Sequence, residues 1–97
     1  MVTQQSIINI LQDYKAYKAS KYGIDKMGLF GSYARGNQTE ESDVDVYIEG
    51  ELKGFCALAM IKVELEELLG NKVDVVRLRQ RMNPTLKHII EQEGIYV

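Results

Sequence analysis

One cysteine, one proline and one histidine are spread through this chain of 97 residues, and each scarcity closes off a class of answer. A lone Cys56 cannot form an internal disulfide, and its place within an apolar helical pattern makes it a small buried thiol. The only proline, Pro84, comes late. With no repeat, low-complexity tract or linker before it, residues 1–97 are expected to form a single domain. His88 has no second histidine or cysteine at metal-ligand spacing, which leaves it a surface histidine. No apolar run approaches the roughly 18 residues of a membrane helix. Residues 1–5 have neither the basic start nor the apolar stretch of a signal peptide, so the expected location is the cytoplasm. A net charge of −2 argues against a general nucleic-acid binder. So short a chain also has no space for a separate substrate domain, and part of the working machine is expected on a partner.

What is present is an ordinary globular composition, 45% hydrophobic and 27% charged, which speaks against disorder and coiled coil. Thr3 caps a first helix whose stripe is Ile7, Ile10, Leu11, Tyr14 and Tyr17, and Gly23 ends it. Residues 26–30 are short and largely apolar and run into Gly31-Ser32, as a strand feeding a turn does. Residues 33–35 form a helical turn, residues 36–41 a polar loop, and residues 43–48 an alternating strand. A second long helix is expected from Gly54, with Phe55, Leu58, Ile61, Lys62, Leu65 and Leu68 recurring at helical spacing and Gly70 as its end. Residues 72–78 form a third strand. Asn83 as N-cap, Pro84 at the first position and Gly94 past the end bracket a last helix of about ten residues. The predicted order is α-β-α-β-α-β-α.

Alternation places Val44, Val46 and Ile48 on one face of the second strand and Asp43, Asp45 and Tyr47 on the other. In the third strand Val73 and Val75 oppose Asp74. If both valine faces pack on the helices, all three aspartates emerge together on the uncovered face of the sheet. Adjacent carboxylates repel unless a cation lies between them, and hard oxygen ligands suit magnesium, which sits on one or two carboxylates plus substrate phosphates. Eleven residues ahead of Asp43, Gly31 lets backbone approach a phosphate while Ser32 and nearby amides donate to it. The expected chemistry is an in-line displacement on a nucleoside triphosphate. Two magnesium ions would be held by Asp43, Asp45 and Asp74, with Asp74 also placed to accept the attacking hydroxyl's proton. Arg35, one turn beyond the phosphate grip, reaches phosphate or pairs with Glu40 or Glu41. Ser42 hydrogen-bonds the loop ahead of Asp43 and belongs with the phosphate-binding group. Tyr33 and Tyr47 are candidates to stack on a base. Arg77, Arg79, Arg81 and Lys87 form a local basic cluster that is either a solvated face or a hold for an acidic partner.

The segments Gly31-Ser32-Tyr33-Ala34-Arg35-Gly36 and Ser42-Asp43-Val44-Asp45, with Val73-Asp74-Val75-Val76 downstream, resemble the minimal nucleotidyltransferases of the polymerase-beta-like superfamily. That signature is Gly-Ser-x-x-Arg-Gly, a short loop, Ser-Asp-x-Asp, and a later apolar-Asp-apolar-apolar strand. The departures, Gln38 and Val46, touch no expected ligand. The resemblance implies an α/β (α+β) polymerase-beta-like nucleotidyltransferase fold: a small mixed sheet with helices packed on one face. It also implies magnesium ATP as donor, AMP delivered to a hydroxyl, and pyrophosphate released. In that family such stand-alone domains are antitoxins that adenylylate a tyrosine of a cognate HEPN-domain ribonuclease toxin, so the implied partner is that toxin. Two other readings remain at this level. One is an antitoxin that neutralises its toxin by stoichiometric binding alone, and the other is transfer to a small-molecule hydroxyl.

Overall fold

A computed structural model describes residues 3–97. Eight elements follow one another: α1 (Gln4–Tyr22), β1 (Lys26–Phe30), α2 (Ser32–Arg35), β2 (Val44–Glu49), α3 (Ala57–Leu69), β3 (Val73–Arg77), α4 (Pro84–Glu93) and β4 (Ile95–Tyr96). The expected order is found, with one addition. The two-residue β4 pairs antiparallel with β1 through Gly28↔Tyr96 and Leu29↔Ile95. The sheet order is β3-β2-β1-β4. β1 and β2 are antiparallel, while β2 and β3 are parallel and connected through α3, so the sheet is mixed.

Local chemistry explains the boundaries. The Ser6 N–H donates to Thr3 Oγ1 at 3.1 Å and the Thr3 N–H to Ser6 Oγ at 3.0 Å, a reciprocal cap that satisfies two amides at the start of α1. Asn83 Oδ1 accepts from the Thr85 and Leu86 amides ahead of α4, and Pro84 opens that helix. In α3 the expectation needs correcting. The helix starts at Ala57, and its buried residues are Ala57, Ile61, Leu65 and Leu69. Phe55 precedes the helix and is fully exposed, while Leu58 and Leu68 lie on the solvent side. Cys56, taken from the sequence as buried, is exposed at the N-cap. Tyr17 also leaves the core stripe of α1, being 83% exposed.

One face of the sheet carries Met27, Leu29, Val44, Val46, Ile48 and Val73 against α1 and α3. Across that helix pair the Tyr14 and Tyr22 hydroxyls both donate to Glu64 Oε1, at 2.8 and 3.0 Å. Burial works against the charge on Glu64, but those two hydrogen bonds and the nearby Lys18 and Lys21 outweigh it and hold the carboxyl below its usual range. The opposite face is not wholly open. Phe30 and Tyr47 bury themselves with Ile90 of α4, and Val76 and Leu86 pack around them. The cause is in the sequence, since on this face Phe30, Tyr47 and Val76 are as apolar as the residues beneath them and need cover of their own. α1 and α3 thus pack on one face as expected, and α4 crosses part of the other.

Candidate active site

Strand register turns the aspartate face into two rows. In one, Phe30, Asp45 and Asp74 are side by side across β1, β2 and β3; in the other, Tyr96, Gly28, Tyr47 and Val76 line up across all four strands. α4 covers the second row together with Phe30 at the end of the first, and leaves the aspartates of the first row uncovered. Gly28 makes the cover possible, because any side chain there would overlap the Tyr47 ring, and Gly94 leaves room for the same ring at the end of α4. Tyr47 is therefore wedged in place, edge-on to Tyr96 with ring centroids 5.6 Å apart. Its hydroxyl is buried without a hydrogen-bond partner. Tyr33 is buried too, its hydroxyl accepting from Asn71 Nδ2 at 3.1 Å. Neither ring can stack on a base, which corrects that expectation.

The uncovered row holds the carboxylates. Asp45 on the inner strand β2 is half-buried, and Asp74, its register partner, is exposed on the edge strand β3. Asp43 is exposed immediately ahead of β2. Burial raises the Asp45 pKa most, Asp74 and Asp43 push it further up, and Arg35 offsets this in part. The group is short of positive charge. Among the described residues no group of three or more His, Cys, Asp or Glu side chains is placed to hold a metal ion by itself. The donor set instead fits a hard divalent ion that keeps water and substrate oxygens among its ligands, as magnesium does.

β1 ends at Phe30 and the chain turns at Gly31, whose φ of 76° and ψ of −154° belong to glycine territory. A side chain at Gly31 would also run into the Asp45 carboxylate. The glycine thus lets the Ser32 turn lie directly against Asp45. Ser32 opens the four-residue α2, whose last turn ends in a left-handed Gly36. α2 is anchored from behind, where Gln4 Nε2 donates to the Tyr33 and Ala34 carbonyls at 2.9 and 3.0 Å.

Two residues of the expected phosphate-binding group are otherwise engaged. Ser42 Oγ accepts from the Thr39 N–H at 2.8 Å, and the Ser42 N–H donates back to the Thr39 carbonyl at 3.0 Å. The hydroxyl closes the turn that delivers Asp43. Arg35 pairs with Glu93 of α4 at 2.9 Å and not with Glu40 or Glu41. That contact is exposed, and pairs of this kind contribute only about 0–1 kcal/mol, so the guanidinium is free to exchange partners. His88 is exposed on α4, away from any metal-ligand pattern. Sequence reasoning missed Gly28 and read Gly94 only as the end of α4, since the space each leaves for Tyr47 has no local signal.

Comparison with known proteins gives a consistent result. Residues 5–97 match the family described as polymerase beta, nucleotidyltransferase. A candidate protein adenylyltransferase of Methanocaldococcus jannaschii is 41% identical over 101 residues, covering 100% of each chain. The protein adenylyltransferase MntA of Thermococcus cleftensis is 32% identical over 98 residues, covering 100% of this chain and 98% of that one. A crystal structure of a toxin–antitoxin with AMP-PNP superposes with a TM-score of 0.71 at 25% identity, covering 98% of this chain and 72% of that one.

Proposed function

Since this chain belongs to the polymerase beta nucleotidyltransferase family, we propose that it is an antitoxin that transfers AMP from magnesium ATP to a tyrosine hydroxyl of a cognate HEPN ribonuclease toxin and so silences it. The observation that carries this reading is the pairing of Asp45 with Asp74 across two strands, with the Gly31 turn seated against Asp45. Support for a protein acceptor comes from the Thermococcus relative, a protein adenylyltransferase. Support for ATP and a toxin partner comes from the neighbour solved as a toxin–antitoxin assembly with an ATP analogue. The HEPN class of the partner rests on the family resemblance.

In this mechanism Gly31, Ser32 and the adjacent amides hold the triphosphate, and Arg35 leaves Glu93 to add charge on phosphate oxygens. Ser42 keeps Asp43 in place. Asp43, Asp45 and Asp74 would hold the magnesium, which when bound would supply positive charge against the triphosphate and the acceptor oxygen. The tyrosine oxygen forms its bond to the α-phosphorus as the bond from that phosphorus to the bridging oxygen of pyrophosphate breaks. The hydroxyl proton passes to Asp74, the most exposed edge of the row, and pyrophosphate leaves.

The test is label transfer from α-phosphate-labelled ATP, with magnesium, to the product of the gene adjacent to this chain's, taken as the HEPN protein of the proposed pair. Wild type is expected to label it and the Asp43→Asn/Asp45→Asn variant to fail. A pair that co-purifies without label, and a toxin that the double variant still neutralises at equal expression, would replace catalysis with stoichiometric binding.

A further inference from the structure

β3 is an edge strand whose outer backbone is only partly used. The Val44 N–H donates to the Lys72 carbonyl at 2.9 Å and the Leu78 N–H to the Ile48 carbonyl at 2.7 Å. In a parallel ladder the bonds toward one neighbour come from alternate residues. Positions 72, 74, 76 and 78 therefore face β2, while the N–H and C=O groups of Val73, Val75 and Arg77 face away. The Val73 amide is taken by Glu66 Oε2 of α3 at 3.1 Å. The amides and carbonyls of Val75 and Arg77 remain on the outer edge. Against them lies a groove of about 400 Å³ whose walls include Leu58, Val76, Arg79, Met82 and Leu86. A solvated strand edge with apolar pockets beside it is built for one kind of occupant, an extended polypeptide.

We propose that the acceptor segment of the partner protein docks here as a fifth strand, pairing with Val75 and Arg77. This rests on the reading that the chain transfers a nucleotide to a protein hydroxyl. Register makes the placement specific. Phe30, Asp45 and Asp74 already form a row across three strands. The next strand would run about 4.7–4.9 Å beyond β3, and its residue opposite Asp74 on the same face becomes the fourth member of that row. A tyrosine there extends its hydroxyl along the aspartates, where Asp74 can take the proton. Residues of the segment two places from the tyrosine meet Met82 and Leu86 on its face, and those between them meet Leu58 on the other. The exposed Arg79 and Arg81 at the end of the strand favour acidic residues beyond the tyrosine. Edge docking lets this domain hold a protein substrate, because the backbone supplies the affinity and the row selects the hydroxyl.

The experiment follows amide hydrogen exchange of the full ¹⁵N-labelled chain, alone and with the HEPN protein, beside the label-transfer assay. Alone, the Val75 and Arg77 amides should exchange quickly while Asp74 and Val76 exchange slowly; in the complex the first pair should slow at least 10-fold. Val75→Pro removes an outward donor and no bond to β2. Leu58→Arg, at an exposed wall position, is the second variant should the proline disturb the fold. Each should raise the KM for the HEPN protein at least 10-fold and leave ATP affinity unchanged. Label transfer without protection of these amides, and with KM unchanged in Leu58→Arg, overturns the proposal. So does protection in the free chain that is lost on dilution, which would assign the edge to a second copy. Protection without label transfer upholds the docking edge and removes the transferase reading; absence of both complex and transfer removes both.

Discussion

Gly31→Ala should damage this protein in two separable ways, and the structure predicts how they divide. The backbone at Gly31 has φ 76° and ψ −154°, a conformation that alanine adopts only at a cost of about 1–3 kcal/mol. The added methyl would also overlap the Asp45 carboxylate, which sits directly over the glycine. The carboxylate can swing only partly aside, because it hangs from a Cβ fixed to β2, so the remaining overlap with Cγ and Oδ2 adds about 1 kcal/mol of stability loss. For a domain of this size each kcal/mol lowers Tm by about 4–8 °C. The functional effect is larger, since displacing a catalytic group by about 1 Å reduces rate by roughly 100-fold. Thermal melts of a double-mutant cycle with Asp45→Ala separate the terms. In the Asp45→Ala background only the backbone part should remain, leaving a coupling of about 1 kcal/mol. If Gly31→Ala lowers stability equally in both backgrounds, to within about 0.3–0.5 kcal/mol, then Gly31 is not there to seat Asp45, and the proximity of the phosphate turn to the carboxylate row loses its physical basis.

Two further outcomes follow from groups whose burial is poorly compensated. Burial and the neighbouring Asp74 and Asp43 raise the pKa of Asp45 in the folded chain, so between its ordinary value and the raised one the native state binds more protons than the unfolded state. Stability must then fall as pH rises through that window, and the penalty is complete above it. Without magnesium at pH 7, Asp45→Asn should therefore be more stable than wild type, by about 0.5–2 kcal/mol, and inactive; added magnesium should raise the Tm of wild type alone. Melts from pH 4 to 8 in chelator and in magnesium check this, and a wild type at least as stable as the variant in chelator contradicts it. Tyr47→Phe removes a hydroxyl that is buried without a partner, so denaturant unfolding should show no loss and a gain of up to about 1–2 kcal/mol. A loss above about 1 kcal/mol would mean that the hydroxyl has a partner in solution.

The parts of the fold legible in the sequence are those that a short period writes locally. The alternation of residues 44–48 sorts valines from aspartates without any knowledge of pairing, and the caps at Thr3 and Asn83 announce their helices within three residues. What escaped depends on choices between near-equal local patterns or on partners distant in the chain. In α3 the expected stripe and the true one share Ile61 and Leu65, while Phe55, Leu58, Lys62 and Leu68 give way to Ala57 and Leu69. Helical spacing cannot choose between Leu58 and Ala57 when the chain offers apolar residues on both sides; the point where the helix begins decides. β4 is two residues long and has no period to detect. The path of α4 over Tyr47 depends on Gly28 and Gly94 vacating the same space from opposite ends of the chain.

The candidate site could be written from the sequence as a list of residues, but their arrangement in space could not. Sequence spacing sets Asp43 and Asp45 near each other; only strand register makes Asp74 the neighbour of Asp45 and Phe30 the wall behind them. The same register explains why the candidate site occupies this end of the sheet. A face that alternates Phe30 and Tyr47 with Asp45 and Asp74 cannot be buried whole, because covering the aspartates would strand charges in an apolar interface. One helix of ten residues covers the aromatic row and stops. The carboxylate row is left open to solvent, short of positive charge and bordered by an edge strand with outward backbone groups. It gives up stability in the free chain, and on the proposed function metal, triphosphate and acceptor would each restore part of it as they bind.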